Sequence, residues 1–106
     1  MTDTQIRRHA LESYPEECVG YISGGEYHRL ENVSNSPRES YSVSVEDRMM
    51  LYSLKEKLIA LVHSHPVLDS TPSLKDLEAY KSTKFNFYII GTDGITTTNI
   101  RRLIHE

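Results

Sequence analysis

Apolar residues that recur at helical spacing predict three helices. Residues 4–13 carry one such stripe, which indicates a short amphipathic helix that Tyr14-Pro15 ends. Residues 46–57 form the clearest helix and begin with acidic residues, which the helix dipole favours at an N-terminus. The pattern predicts a third helix over residues 73–81.

Two pairs of apolar segments are separated by short glycine-containing turns, and this arrangement is typical of β-hairpins. Residues 18–23 and 27–33 are strand-like, and Gly24-Gly25 between them predicts a two-residue turn. Asp93-Gly94 predicts a type I′ turn, after which the chain returns as a strand over residues 95–100.

Three further segments have the apolar pattern of strands. Residues 41–45 alternate strictly between apolar and polar side chains, which predicts a half-buried strand. Residues 58–62 are continuously apolar, which indicates a strand buried on both faces. Residues 86–91 form another apolar strand.

The predicted order of elements is α-β-β-β-α-β-α-β-β. This order indicates an α+β, or mixed α/β, fold in which helices pack on a central, mostly antiparallel sheet. The chain has 106 residues and no internal repeat, so a single domain over residues 1–106 is expected.

Composition and charge exclude several classes of protein. The net charge is −3, and the basic residues are scattered, so there is no basic face for a nucleic acid. Cys18 is the only cysteine, which excludes an intrachain disulfide and fits a reducing compartment. The N-terminus lacks a signal-peptide pattern, and no apolar run approaches the roughly 20 residues of a membrane helix. We therefore expect a cytoplasmic protein without membrane contact.

The segment His63-Ser64-His65-Pro66 carries the strongest chemical signal. Residues i and i+2 of a strand point to the same face, so both histidines can reach one ion if the pleat persists through them. Asp76 lies one turn into the next predicted helix and completes a three-ligand set. Two nitrogens and one oxygen suit Zn²⁺, and three protein ligands leave a fourth position for water, as in catalytic zinc sites.

Two further residues could serve such a site. Glu17 could act as a base, and Cys18, which follows it, must then point to the opposite face and is expected to be a small buried apolar residue. Ser73 has two interpretations. It could cap the third helix in a Ser-x-x-Asp capping box, or Thr71 could be the cap and leave Ser73 free to point into the site.

The remaining histidines have no ligand spacing. His9, His28 and His105 are therefore expected to be surface residues.

Taken together, these residues resemble the JAMM (MPN+) metallopeptidase motif, E…H-[ST]-H-P-x(6)-S-x-x-D. The resemblance covers essentially the whole chain and includes the Gly-containing segment after the glutamate, whose register selects Glu17 over Glu16. The motif residues agree with the family spacing at every position: Glu17, His63, Ser64, His65, Pro66, Ser73 and Asp76.

The resemblance implies a cytidine-deaminase-like JAMM/MPN fold and a zinc-dependent metallopeptidase or isopeptidase. It implies His63, His65 and Asp76 as ligands of one zinc ion per chain, Glu17 as the general base and Ser73 as the oxyanion stabiliser. The implied reaction is hydrolysis of an amide or isopeptide bond in a peptide or a ubiquitin-like protein.

Within this family, residues 13–17, 31–33 and 34–41 resemble the phage tail assembly protein K type. Such proteins usually carry a cell-wall-peptidase-like domain after this one, so the chain is expected to be a fragment or a stand-alone version. The resemblance implies phage tail proteins or a cell-wall peptidase domain as partners. For a phage-encoded chain it implies a location in the host cytoplasm or on the virion.

Three alternative functions compete with this reading of the motif. The same fold could be a non-catalytic scaffold or tail-assembly component, which metal content and a peptidase assay would distinguish. A zinc deaminase would need H-x-E and C-x-x-C, which the chain lacks. A cysteine hydrolase would use Cys18, but its apolar neighbours favour an inert thiol. Substrate specificity is expected to lie in loops 34–40 and 66–72.

Overall fold

The computed structural model describes residues 1–106 and contains three helices and five strands. The helices are α1 (Thr2–Ser13), α2 (Val45–Ser53) and α3 (Leu74–Thr83). The strands are β1 (Val19–Ser23), β2 (Glu26–Leu30), β3 (Leu58–His65), β4 (Phe87–Gly91) and β5 (Arg101–Leu103). The fold is mixed α/β, as predicted, with one strand fewer than the sequence pattern indicates.

All five strands form one sheet in the order β2-β1-β3-β4-β5. Neighbouring strands are antiparallel except β3 and β4, so the prediction of a mostly antiparallel sheet is confirmed. The parallel pair needs a crossover, and α3 lies within it. As a result the carboxyl ends of β3 and β4 meet at one edge of the sheet, where His65 pairs with Gly91.

The predicted hairpin between β1 and β2 is confirmed. Gly24 and Gly25 have φ values of 61° and 78°, and Ser23 pairs with Glu26 across the turn. A type I′ turn needs positive φ at both central residues, which glycine adopts without steric cost.

The predicted strand over residues 41–45 is wrong. This segment has no strand partner, and α2 already begins at Val45. Its alternation is nevertheless real, because Tyr41 and Val43 pack against the core. Apolar alternation indicates only which side chains face inward. A strand also needs backbone hydrogen bonds to a neighbouring strand, and residues 41–45 are not added to the sheet, whose edge strand on this side is β2.

The type I′ turn at Asp93-Gly94 and the return strand over residues 95–100 are also wrong. Only Gly94 has a positive φ, and an isolated bridge between Thr92 and Thr97 closes a longer loop. The carboxylate of Asp93 accepts the backbone N–H groups of Ile95 (2.9 Å) and Thr96 (2.8 Å). This local capture of backbone donors by an Asp side chain competes with strand pairing, so the return strand begins only at β5.

Several other boundaries and one burial prediction differ from the sequence analysis. Strand β2 ends at Leu30 rather than at residue 33, and α1 and α3 differ from their predicted bounds by one or two residues at one or both ends. Helix α2 ends at Ser53 rather than at residue 57, and β3 continues through His65 instead of ending at residue 62. Within β3, Ala60 to Val62 are buried, but Ile59 is 47% exposed, so this strand is not buried on both faces along its whole length.

The sheet has an apolar cluster on each face. Helix α1 packs on one face, where Ile6 and Cys18 join Val62 and Ile90, which confirms the predicted burial of Cys18. The other face carries a cluster that includes Leu51 of α2 and side chains of α3. No helix is long and apolar enough to cross a membrane.

The prediction that His9 lies on the surface is wrong. His9 is only 7% exposed, and its Nδ1 lies 2.6 Å from the hydroxyl oxygen of Tyr27. It follows Ile6 by three residues, so it lies on the face of α1 that packs on the sheet. His105 is also partly buried, because its ring stacks on Tyr80 at 3.9 Å, whereas His28 is half-exposed.

Candidate metal centre

Three candidate ligands converge at the edge where β3 and β4 end. The pleat of β3 persists through its last residues, so His63 and His65 lie on the same face. Asp76 reaches them from α3, with Oδ1 3.2 Å from Nε2 of His63 and Oδ2 3.0 Å from Nε2 of His65. The ligand atoms of the three residues all lie within 4.8 Å of one another, so they are positioned to bind one metal ion.

A capping box holds Asp76 in place. Ser73 is the N-cap of α3, and its Oγ accepts the backbone N–H of Asp76 at 3.0 Å. In return, Oδ2 of Asp76 accepts the backbone N–H of Ser73 at 3.0 Å. Ser73 rather than Thr71 is therefore the cap, yet its side chain remains exposed beside the site. Because Oγ only accepts in the cap, the Ser73 hydroxyl hydrogen is free to donate.

His63 is fully buried, and neither ring nitrogen makes a well-aligned hydrogen bond, although Nε2 lies 3.2 Å from Oδ1 of Asp76. The phenol ring of Tyr41 stacks on its ring at 4.6 Å, and the Phe87 ring approaches it edge-on. Burial lowers the pKa of His63, so its ring is held in the neutral form that metals bind. A buried nitrogen without a well-aligned partner is costly, and a metal ion opposite Nε2 would supply one.

His65 is oriented by the loop that follows it. Its Nδ1 lies 3.1 Å from the carbonyl oxygen of Asp69, which accepts the Nδ1–H and leaves Nε2 to face Asp76. Metal-binding histidines usually donate their second N–H to an oxygen in this way. Burial lowers the pKa of His65, but its hydrogen bonds with Asp76 and the Asp69 carbonyl, together with the charges of Asp76 and Glu17, outweigh burial and raise the pKa overall. A proton therefore competes with a metal at this nitrogen.

The carboxylate of Asp76 is held in its charged form. Burial alone would raise the pKa of Asp76, but its contacts with His63 and His65 outweigh burial and hold that pKa well below its usual range. An ionised carboxylate beside two imidazole nitrogens is a donor set that suits zinc.

Glu17 lies beside this cluster, immediately before β1. It is 7% exposed, whereas Glu16 is exposed. Burial raises the pKa of Glu17 to about 7, although the nearby charge of His65 opposes this rise. Cys18 belongs to the cluster on the opposite face of the sheet, as the sequence predicts.

A groove of about 780 Å³ runs past Glu17, His65 and Asp76. Its lining includes Glu17, Ser73 and Asp76 together with Pro66 and the chain segment 38–43. Apolar side chains also line it, among them Leu51, Leu61, Phe85 and Phe87. The groove is large enough for an extended peptide segment to reach the candidate ligands.

The sequence analysis did not identify three residues that shape the site. Asn32 hydrogen-bonds the backbone of Glu17, Tyr41 covers His63, and Asp69 orients His65. Only the inward alternation of Tyr41 could have indicated its position. The other two act through contacts between segments distant in sequence or through a backbone carbonyl, which no side-chain pattern reports.

The fold and the site define a small mixed α/β domain with a His-His-Asp cluster positioned to bind a metal ion. The chain matches the model described as prokaryotic homologs of the JAB domain over residues 2–104 and belongs to this family.

Two curated relatives match most of the chain. The tail tip assembly protein K of Escherichia phage N15 is 32% identical over 92 residues, covering 80% of this chain and 36% of the relative. A Thermus thermophilus protein is named "Probable TtuB-protein conjugate cleaving protease". It is 33% identical over 101 residues, covering 86% of this chain and 66% of the relative. The chain thus spans about a third of the first relative and just under two thirds of the second.

Solved structures share the fold. A protein from Desulfitobacterium hafniense superposes with a TM-score of 0.64 at 19% identity, covering 97% of this chain and 86% of that one. A JAB1/MPN domain protein from Archaeoglobus fulgidus superposes with a TM-score of 0.56 at 24% identity, covering 88% of this chain and 74% of that one.

Proposed function

We propose that this chain is a JAMM-type zinc metallopeptidase that hydrolyses an amide or isopeptide bond. The observation that carries the proposal is the convergence of three metal-ligand side chains beside a groove that two of them, His65 and Asp76, line together with a buried carboxylate. Glu17 is that carboxylate, and its pKa of about 7 suits proton transfer near neutral pH.

His63, His65 and Asp76 would hold the zinc ion. The residues fit this ion because His63 has a buried ring nitrogen without a well-aligned partner, and because His65 already donates its Nδ1–H to a carbonyl oxygen. Zinc in such a site lowers the pKa of water to about 7 and polarises a substrate carbonyl.

Glu17 accepts a proton from the attacking water and delivers it to the amine nitrogen as the carbon–nitrogen bond breaks. The products are a carboxylic acid and an amine, the acid proton passes to the amine to give a carboxylate and an ammonium group, and the base returns to its starting state. The burial of Glu17 favours this role, because a carboxylate screened from bulk water keeps its proton long enough to pass it on.

Ser73 donates its hydroxyl hydrogen to the oxyanion that forms at the attacked carbonyl carbon. This donation is compatible with its capping role, because the cap uses Ser73 Oγ only as an acceptor. The cap also fixes the hydroxyl before substrate arrives, which is what makes such donors effective.

The proposed substrate is a protein conjugate or peptide that enters the groove as an extended segment. The Thermus thermophilus relative is named for cleaving TtuB-protein conjugates, which supports a ubiquitin-like protein as one side of the bond. The exposed segments 34–40 and 66–72 border the site and are the proposed specificity loops.

The second candidate function is a non-catalytic tail-assembly component, for which the relative in Escherichia phage N15 is the specific observation. In that case the partners would be phage tail proteins, and the metal centre would stabilise the fold. Retention of a buried base at Glu17 favours the peptidase, since a scaffold has no use for it.

The test is metal analysis of protein purified without chelator, beside the variants His63→Ala and His28→Ala. His28 is half-exposed on β2 and serves as the matched control. We expect about one zinc ion per chain in the wild type and in His28→Ala, and none in His63→Ala. No zinc in the wild type after zinc is added back would overturn the proposal.

The second arm is a cleavage assay on ubiquitin-like fusions and on cell-wall peptides. Cleavage that requires zinc supports the peptidase. A zinc-loaded protein that cleaves none of these substrates supports the tail-assembly component.

A further inference from the structure

We propose that Asn32 is a positioning residue that holds the base Glu17 and the adjacent wall of the groove in one arrangement. The proposal rests on the peptidase function proposed above and adds a residue that lies outside the motif. Asn32 does not touch the candidate ligands, and it acts through the backbone of Glu17 and the segment 33–43.

The side chain of Asn32 is hydrogen-bonded at both ends. Its Nδ2 donates to the carbonyl oxygens of Glu17 (2.9 Å) and Ser40 (3.1 Å). Its Oδ1 accepts the backbone N–H groups of Ser34 and Ser42, both at 3.1 Å. One amide therefore joins the residue that carries the base to three points of a segment without regular secondary structure.

Glu17 needs this support because it lies just outside the sheet. In the β1–β2 register, Val19 pairs with Leu30, and a continuation by two residues would place Glu17 opposite Asn32. Strand pairing stops before that point, and the Asn32 side chain takes the place of the missing ladder partner. The N–H of Glu17 donates to the carbonyl oxygen of Pro37 at 2.7 Å. Both backbone groups of Glu17 thus depend on residues 32–37.

The same amide positions the groove wall. The backbone N–H of Ser42 donates to Asn32 Oδ1. The neighbouring residue, Tyr41, stacks its ring on the candidate ligand His63. Glu17 and Tyr41 both line the groove. A shift at Asn32 would therefore move the base and the wall together.

The two ends of the Asn32 side chain can be separated by substitution. Asn32→Asp keeps an oxygen that accepts from Ser34 and Ser42, but it loses the donor and places an oxygen against the Glu17 carbonyl. Asn32→Ala removes both ends. Asn35→Ala is the matched control, because Asn35 is exposed in the same segment and makes no side-chain hydrogen bond.

The experiment compares kcat, KM and zinc affinity for these three variants. For Asn32→Asp we expect kcat to fall about 10²-fold, because a base misplaced by about 1 Å loses that much rate. Zinc affinity should stay within about twofold, because the ligands lie on β3 and α3. KM should rise less than in Asn32→Ala, because the groove wall loses the donor to the Ser40 carbonyl but keeps the acceptor for the Ser34 and Ser42 N–H groups. Asn32→Ala should also raise KM, because the wall is released. Equal kcat in Asn32→Asp and Asn35→Ala would overturn the proposal.

A second measurement does not depend on activity or on a folded variant. In wild-type protein the two side-chain amide hydrogens of Asn32 are both hydrogen-bonded, whereas those of Asn35 are not. The Asn32 hydrogens should therefore exchange with water at least about tenfold more slowly than those of Asn35. Similar exchange rates would overturn the proposal even in an active protein. A wild type that cleaves nothing but shows this protection would contradict the peptidase function alone, and Asn32 would still position Glu17.

Discussion

Cys18 and Ser64 are joined by two hydrogen bonds across β1 and β3. The N–H of Ser64 donates to the carbonyl oxygen of Cys18 at 3.1 Å, and Ser64 Oγ accepts the N–H of Cys18 at 2.8 Å. Ser64 lies between the two candidate histidine ligands, and Cys18 follows Glu17 directly. Both residues are buried, so this pair fixes the position of Glu17, the proposed base, relative to the candidate metal centre along the sheet.

Replacing Glu17 with Gln should separate catalysis from metal binding. We expect kcat to fall by about 10²–10⁴-fold, because the amide cannot accept a proton. Zinc content should not change, since Glu17 is not among the three ligands. The matched control is Glu16→Gln, which changes an exposed neighbour and should keep full activity. Steady-state kinetics with parallel metal analysis would check this, and an active Glu17→Gln enzyme would contradict the assignment of the base.

The two roles of Ser73 predict different responses to Ala and Gly. As a helix cap, Ser73→Ala should lower the free energy of unfolding by about 1 kcal/mol and Ser73→Gly by only a few tenths. As an oxyanion donor, both variants lose the same hydroxyl and should lose about 10²–10³-fold in kcat. Chemical denaturation and kinetics on both variants test this. If kcat fell in Ser73→Ala but hardly in Ser73→Gly, in parallel with the free energy of unfolding, Ser73 would act only as a cap.

Gly91 pairs with His65 in the sheet and should matter for metal affinity although it supplies no ligand atom. A Cβ atom at this position would overlap the Val67 carbonyl oxygen and the Asp69 backbone nitrogen. Gly91→Ala must therefore shift the loop whose Asp69 carbonyl orients His65. Loss of such an orienting contact typically weakens metal binding by about 10–100-fold. Zinc affinity by chelator competition is the measurement.

The control for Gly91 is Gly20→Ala, whose Cβ would overlap the ring of Tyr27 far from that loop. We expect it to destabilise the fold without weakening zinc affinity. Equal losses of affinity in the two variants would mean that both act through general destabilisation.

His9 should make stability depend on pH in the acid range. Burial, with a smaller contribution from the charge of Arg29, lowers the pKa of His9 from 6.5 to about 4. Between these values the unfolded chain binds a proton that the folded chain does not, so acid favours unfolding. The free energy of unfolding should fall by up to about 1.4 kcal/mol per pH unit as pH drops through this window.

Urea denaturation across this window would test the role of His9. His9→Gln should show a shallower fall than the wild type, because it no longer titrates. His28→Gln, at a half-exposed position, should match the wild type. If the slope in His9→Gln equals that of the wild type, other groups account for the acid sensitivity.

The pairing of the two candidate histidine ligands could be predicted because its geometry is local, whereas the approach of Asp76 depends on how α3 packs against β3. Two histidines two residues apart share a face wherever the strand persists, and β3 does persist through them. The Ser-x-x-Asp spacing likewise predicts a capping box, which the structure contains. Both patterns need only the backbone of one element to bring the named atoms together.

Two predicted strands were wrong because the signal used for them is not specific to pairing. Residues 41–45 alternate since Tyr41 and Val43 face the core, but the segment does not pair with a strand of the sheet. At residues 93–96 the Asp93 carboxylate takes up the backbone donors that a tight hairpin would use. Pairing depends on what lies beside a segment, and the segment itself does not contain that information.

The sequence by itself determined the order of most elements, the mostly antiparallel sheet and the spacing of the candidate ligands, since these follow from hydrophobic period and short-range backbone geometry. Only the tertiary structure decided that His9 is buried, that the pKa of Glu17 is raised to about 7, and that Asn32 ties Glu17 to the groove wall. Desolvation and long-range hydrogen bonds depend on which distant segments pack together, and the packing of the whole chain sets them.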